Sequence, residues 1–191
     1  QPCNASGDTS LIIACDRADI NVVRFLLDAN VDVNQANKVG QTPLMYAAQK
    51  GNKEVLELLK SHSAGFTKDG SLIPQKDSNG RTLVNYARGF DTIQYLWEAE
   101  YITNEDLSLP YNTSGNTLLI NACYKGDIDA VRFLLNANVD VNQADECGVT
   151  PLMYAVQNGN KEILKLFKTH NIGFTKDGQC IPQEDDEGNT L

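Results

Sequence analysis

Sliding the chain against itself by 108 residues aligns residues 1–83 with 109–191 without a gap, and 53 of those 83 pairs are identical. This self-similarity constrains the fold more than the length of 191 residues, which alone fits one ordinary domain. The chain is a tandem duplication with shorter units inside each copy: Gly40-Gln41-Thr42-Pro43-Leu44-Met45-Tyr46-Ala47 returns as Gly148-Val149-Thr150-Pro151-Leu152-Met153-Tyr154-Ala155. Such a sequence predicts similar elements stacked in a row, each touching its neighbours, with no single shared centre.

Residues 9–17 carry Leu11, Ile12, Ala14 and Cys15, and after Asp19 a second run places Val22, Val23, Phe25, Leu26 and Leu27 at helical spacing. That is a helix pair. Thr9 is suited to cap the first helix, and its counterpart Thr42 precedes Pro43, which fits the first helical position because no N–H is needed there. Gly51, Gly126 and Gly159 mark the ends of first helices. Asn30 and Asn138, which tolerate the left-handed conformation, mark the ends of second ones. The polar stretch Val31 to Gly40 suits an exposed hairpin-like connection to the next Thr-Pro. The small pair Ala47-Ala48 lets neighbouring helices come close, and a large residue at Ala47 is expected to overpack that seam.

The formal charge of −9 and pI near 4.6 repel phosphate backbones, and no Lys/Arg run offsets them, so nucleic acid is not an expected partner. The longest apolar runs fall far short of the roughly 20 residues that cross a bilayer, so membrane insertion is not expected either. Cys3, Cys15, Cys123, Cys147 and Cys180 show neither metal-ligand spacing nor the density of a disulfide scaffold. Cys15 and Cys123 are one repeat position and read as small buried hydrophobes; Cys147 and Cys180 could approach each other on neighbouring loops, but no disulfide is expected between them. Compartment stays open: cytoplasmic is the default, and export of a mature chain is compatible with a first residue other than Met.

Gly-x-Thr-Pro-Leu-x-x-Ala-Ala, then Gly, then a Val/Leu-rich second helix and Val-Asp-Val-Asn resembles the ankyrin repeat. The resemblance covers almost the whole chain and implies a mainly α solenoid of helix-turn-helix units with β-hairpin loops, read as a single array over 1–191. The units are residues 4–36, 37–76, 77–111, 112–144 and 145–184, with a sixth beginning at 185–191. Met45 and Met153 stand where the family usually has His, and Thr9-Ser10-Leu11 and Thr117-Leu118-Leu119 lack the Pro; both departures weaken helix starts locally. In unit two the interval from Ser63 to Gly80 is seven residues longer than the matching interval from Asn30 to Gly40 in unit one. Its insert carries Asp69-Gly70 between short alternating arms, Phe66 to Ile73, which predicts an elongated hairpin repeated around Asp177-Gly178 at Phe174 to Ile181. Unit three is degenerate: Leu83 replaces the Pro, Arg88 stands where Ala48 stood, and Gly89-Phe90-Asp91 shortens the turn. Trp97, the only tryptophan, reads as core. After Glu98 a helical turn started by Thr103 or Asn104 is expected in place of the hairpin.

No catalytic constellation is visible. His62 and His170 are one repeat position three units apart, too distant to serve one another, and each is expected at a helix C-terminus, where the dipole favours a partly positive ring. Asp32 and Asp140 are likewise a single turn-forming position, and Glu184-Asp185-Asp186-Glu187 lacks the alternation and closing Glu of a calcium loop. No cofactor or metal is expected, and the chain reads as non-catalytic. In ankyrin arrays the hairpin tips and the ends of the first helices usually contact a partner protein. Carried onto this chain, the resemblance places partner contacts at Lys38, Val39, Gln41, Gln49 and Lys50; Ser78, Asn79 and Arg81; Thr113, Ser114, Asn116, Tyr124 and Lys125; and Glu146, Cys147, Val149, Gln157 and Asn158. The implied function is a protein–protein interaction module with a concave binding face. The alternatives are a structural spacer or self-associating segment of a longer repeat protein, and a small-molecule site near Tyr86, Arg88 and Trp97.

Overall fold

The computed structural model describes residues 4–68, 70–73 and 75–173. Contacts divide the chain into two compact units, Gln1–Thr103 and Asn104–Leu191. The first holds α1 (Ser10–Asp16), α2 (Ile20–Asp28), α3 (Pro43–Lys50), α4 (Lys53–Ser61), α5 (Leu83–Tyr86) and α6 (Phe90–Glu98). The second holds α7 (Asn104–Ser108), α8 (Leu118–Lys125), α9 (Ile128–Asn136), α10 (Pro151–Gln157) and α11 (Lys161–Thr169). Among the described residues the chain is helical, with two isolated antiparallel bridges, Phe66–Leu72 and Lys76–Thr82, and no longer strand.

The helices begin where the sequence puts capping side chains. Thr9, Thr42, Thr117 and Thr150 accept from the backbone N–H three residues on, as do Asp19, Asn52, Asp127 and Asn160 at the starts of second helices. First helices end at left-handed Gly51 and Gly126. Second helices instead end on non-glycine residues at positive φ, Asn30, Ser63, Glu100, Asn138 and Asn171. There the Schellman pattern closes the last turn: in α4, Ser63 N–H reaches Lys60 and Ala64 N–H reaches Leu59.

In the first unit α1 packs on α3, α3 on α5 and α2 on α4; in the second, α8 packs on α10, α9 on α11 and α7 on α8. The seams are built from Leu11, Cys15, Leu44, Met45, Ala47 and Ala48 in the first unit, and Leu119, Cys123, Leu152 and Ala155 in the second, each at most 1% exposed. Ala47 and Ala48, where small side chains are expected at the seam, are both fully buried.

Unit three is irregular, as expected, and the cause is visible. Ala87 turns extended at ψ 124° after one turn of α5, and Gly89 at φ 81° starts α6 without a side-chain cap. The expected helical turn after Glu98 is α7. Trp97 is half-buried; Ile93 and Leu96, not the tryptophan, carry the burial of α6. The insert of unit two folds back at the expected place, where Phe66 bridges Leu72 and Thr67 N–H donates to the Ser71 carbonyl. Its counterpart at Phe174 to Ile181, the acidic run Glu184 to Glu187 and the start of a sixth unit lie outside the described residues.

Candidate functional site

The connections between helix pairs all close the same way. Asn37, Asp77, Asn112 and Asp145 each open a four-residue turn, and each side-chain Oδ1 accepts two backbone N–H groups: from Val39 and Gln41, Asn79 and Arg81, Ser114 and Asn116, Cys147 and Val149. Adjacent tips are joined backbone to backbone, Lys38 N–H to Ser6, Ser78 N–H to Val39, and in the second unit Glu146 N–H to Ser114. Gly40 sits at φ +79° where a Cβ would stand 3.2 Å from the Asp77 and Ser78 backbone, so a side chain there would strain the turn and crowd the neighbouring tip.

A second tie runs from three of these turns to the first helix that follows. Tyr86 donates its hydroxyl to Asp77 at 2.7 Å and Tyr154 donates to Asp145 at 2.8 Å, while Tyr46 donates to Gln41 at 2.9 Å. Each tyrosine lies nine residues after its turn-opening Asn or Asp. The Asp77 carboxylate is the most heavily engaged. Desolvation acts to raise its pKa, but hydrogen bonds from the Tyr86 hydroxyl, the Arg81 N–H, the Arg81 guanidinium and the Asn79 N–H prevail and hold it at about 2. Burial, seconded by the bond to Asp145, raises the Tyr154 hydroxyl to about 12.

None of the eighteen sequence-assigned contact residues is buried. Lys38, Val39, Gln49, Ser78, Asn79, Arg81, Thr113, Ser114, Tyr124, Lys125, Glu146, Cys147, Gln157 and Asn158 are exposed, and Gln41, Lys50, Asn116 and Val149 are half-buried. Several are also tied down within the chain. Lys38 Nζ donates to the Ala5 carbonyl at 2.9 Å, Lys50 pairs with Asp16 at 3.0 Å, Arg81 pairs with Asp77 at 2.8 Å, and Asn158 donates to the Tyr124 carbonyl at 2.9 Å. Tyr124, 63% exposed, meets Tyr154 edge-on at 5.8 Å between centroids.

The other titratable residues singled out in the sequence are accounted for as follows. Asp32 and Asp140 accept from the Asn34 and Asn142 N–H groups and close turns. His62 and His170 stand at the ends of α4 and α11, with Nδ1 at 3.0 and 2.9 Å from the Leu58 and Leu166 carbonyls. Burial pushes the Cys15 and Cys123 thiols up to about 12, whereas Cys147 is free and exposed; Cys3 and Cys180 fall outside the described residues. Near unit three, the Tyr86 hydroxyl is already held by Asp77 and Gln41 and its ring by Arg81. Among the described residues, no group of three or more His, Cys, Asp or Glu is placed to hold a metal ion, and no helix is long and apolar enough to cross a membrane.

A family model described as ankyrin repeats (3 copies) matches residues 1–71, 68–145 and 89–177. The chain is 31% identical over 78% of its length to the ankyrin repeat protein FPV223 of Fowlpox virus, of which it spans 98%. It is 29% identical to the ankyrin repeat protein FPV031 of the same virus and to the palmitoyltransferase AKR1 of Lachancea kluyveri, over 85% and 84% of this chain. It spans only 47% and 22% of those two proteins.

Proposed function

Because the chain belongs to the ankyrin-repeat family, whose arrays are generally protein–protein interaction modules, we propose that it binds a partner protein through its hairpin tips and the ends of its first helices. One observation carries this reading: all eighteen assigned residues are solvent-accessible, while the framework between them, Leu44, Met45, Ala47 and their counterparts, is closed. The duplication adds support. Lys38/Glu146, Val39/Cys147, Gln41/Val149 and Lys50/Asn158 differ between the copies, whereas Thr42 to Ala47 are unchanged in Thr150 to Ala155. Along this stretch the framework stayed fixed while these four accessible positions diverged.

The test is a photo-crosslinking amino acid at Gln49, Lys125 or Glu146, with Lys60 and Lys165 on second helices as controls, in extracts of the native organism. The expected result is one discrete protein adduct from the tip and helix-end positions and none from the controls. An adduct from Lys60 or Lys165 alone would move the binding face to the second helices.

A second reading, a structural or self-associating segment of a longer repeat protein, draws on α2. Val22 and Phe25 are 43% and 71% exposed there, whereas in the second copy Ala130 is 2% exposed and Phe133 is half-buried. Sedimentation of the chain and of its Phe25→Lys variant separates the readings: assembly abolished by that variant favours the structural one, and a monomer in both removes self-association.

A further inference from the structure

The same three-residue arrangement occurs three times with different chemistry in its third member. In unit two the turn opens with the neutral Asn37, and Gln41, just before the threonine cap, accepts from the Tyr46 hydroxyl. In unit three the turn opens with Asp77, and the residue before the cap is Arg81. Its Nε donates to Asp77 Oδ2 at 2.8 Å, an Nη lies 2.8 Å from the same oxygen, and its guanidinium carbon sits 5.1 Å from the centre of the Tyr86 ring. Amide therefore meets amide and acid meets guanidinium. Unit five breaks the pattern: the turn opens with Asp145, whose Oδ2 takes the Tyr154 hydroxyl at 2.8 Å, but the residue before the cap is Val149. Among the described residues no cation pairs with the Asp145 carboxylate.

We propose that unit five is an arginine-reading site, in which a guanidinium from a basic segment of the partner protein takes the place that Arg81 fills in unit three, on Asp145 and the Tyr154 ring. The occupant is read from the chain's own example of a filled site. Val149 ends at its two methyl groups and, unlike Arg81, has no donor that can reach the carboxylate. Asp145 is half-buried rather than sealed, and Tyr124, 63% exposed and edge-on to Tyr154, adds a second aromatic wall. In the duplicate, Tyr124 is replaced by Asp16, which is consumed in an ion pair with Lys50. Charge agrees: residues 104–191 hold 13 acidic against 6 basic side chains, and residues 1–103 hold 12 against 10. The second unit therefore steers basic segments toward itself more strongly than the first. Arginine is favoured over lysine, since only a planar guanidinium can donate in-plane to Oδ2 while lying on a ring.

This inference rests on the protein-binding reading and sharpens it to one residue type, so the test separates the two. The full chain is titrated with the capped peptide acetyl-Ala-Leu-Arg-Leu-Ala-amide and its citrulline analogue, following amide resonances by NMR. The Cys147 and Val149 amides, which donate to Asp145, are expected to shift with the arginine peptide, and binding is expected to be about tenfold tighter than for citrulline. Asp145→Asn is expected to remove that preference without unfolding the chain, since Asn already opens the equivalent turns at positions 37 and 112. Val149→Arg fills the site in cis, and is expected to abolish peptide binding and raise the melting temperature. Equal binding of the citrulline peptide, shifts confined to other amides, no binding at all, or an arginine preference that survives Asp145→Asn would each overturn the proposal. Crosslinks from Lys125 or Glu146 in the face of such a result would leave the protein-binding surface standing, and their loss as well would remove both.

Discussion

Tyr101 is 2% exposed, and among the described residues its hydroxyl has no hydrogen-bond partner, so a polar atom is buried there uncompensated. Its ring packs on Phe66 at 5.4 Å, and burial drives its pKa upward. Tyr101→Phe keeps the ring and deletes the orphan, so thermal unfolding is expected to show a gain of about 1 kcal/mol; an equal loss would show that the hydroxyl is satisfied. Asp77 predicts the opposite sign. Its folded pKa, about 2, lies below its ordinary 3.8. Its contribution is therefore complete above about pH 4, and is lost as acid carries the pH through the folded value. Asp77→Asn is expected to cost about 2 kcal/mol at pH 7 and to flatten the acid limb of the stability profile between about pH 4 and 2. A third expectation concerns thiols: with Cys3 and Cys180 replaced by Ser, a disulfide reagent at neutral pH labels Cys147 at once, and Cys15 and Cys123 only on denaturation. The burial of Cys15 and Cys123 was legible from their place in apolar runs. The tyrosine ties are not legible from their nine-residue spacing, because the spacing matters only once the turn folds its acceptor side chain back over the helix start.

Caps and stops made the helices readable, since each needs one side chain at one position. Asn52 shows the cost: its Oδ1 takes the Val55 N–H at 3.2 Å, and Asn52→Ala is expected to destabilise α4 by about 1 kcal/mol, measurable by urea unfolding. The long insert was legible as a turn through Asp-Gly, but its anchorage was not, because that lies in a partner 31 residues away. Asn34 accepts from Gly65 N–H at 2.7 Å and donates to the Phe66 carbonyl at 3.3 Å, tying the root of the insert to the preceding connection. Gly65 sits at φ +81° with the Tyr101 ring 3.0 Å from where a Cβ would stand, so packing set by a distant element fixes this glycine. The half-burial of Trp97 is not legible in the sequence for a related reason. Helical spacing identifies a face but does not say how much of a large ring that face covers.

At the scale of the molecule, stability cannot reside in single helices. Those of the regular pairs run to only seven to nine residues, below the roughly 12 at which an isolated helix persists in water. A peptide spanning residues 37–76 is therefore expected to show no helical circular dichroism, and a helical spectrum would mean that one unit folds without neighbours. The duplication made the repeat architecture plain from sequence alone, because one-dimensional order is written as periodicity. The unmatched Asp145 was not, since it shows only against its filled counterpart at Asp77. The non-glycine residues that close every second helix have a consequence for how such an array can be tuned. Ser63 and Glu100 hold backbone angles that a side chain resists. Each is a brake left partly on, and exchanging either for glycine releases about 0.5 kcal/mol. The stability of each helix pair can thus be dialled one joint at a time, at positions outside the eighteen assigned to a visitor.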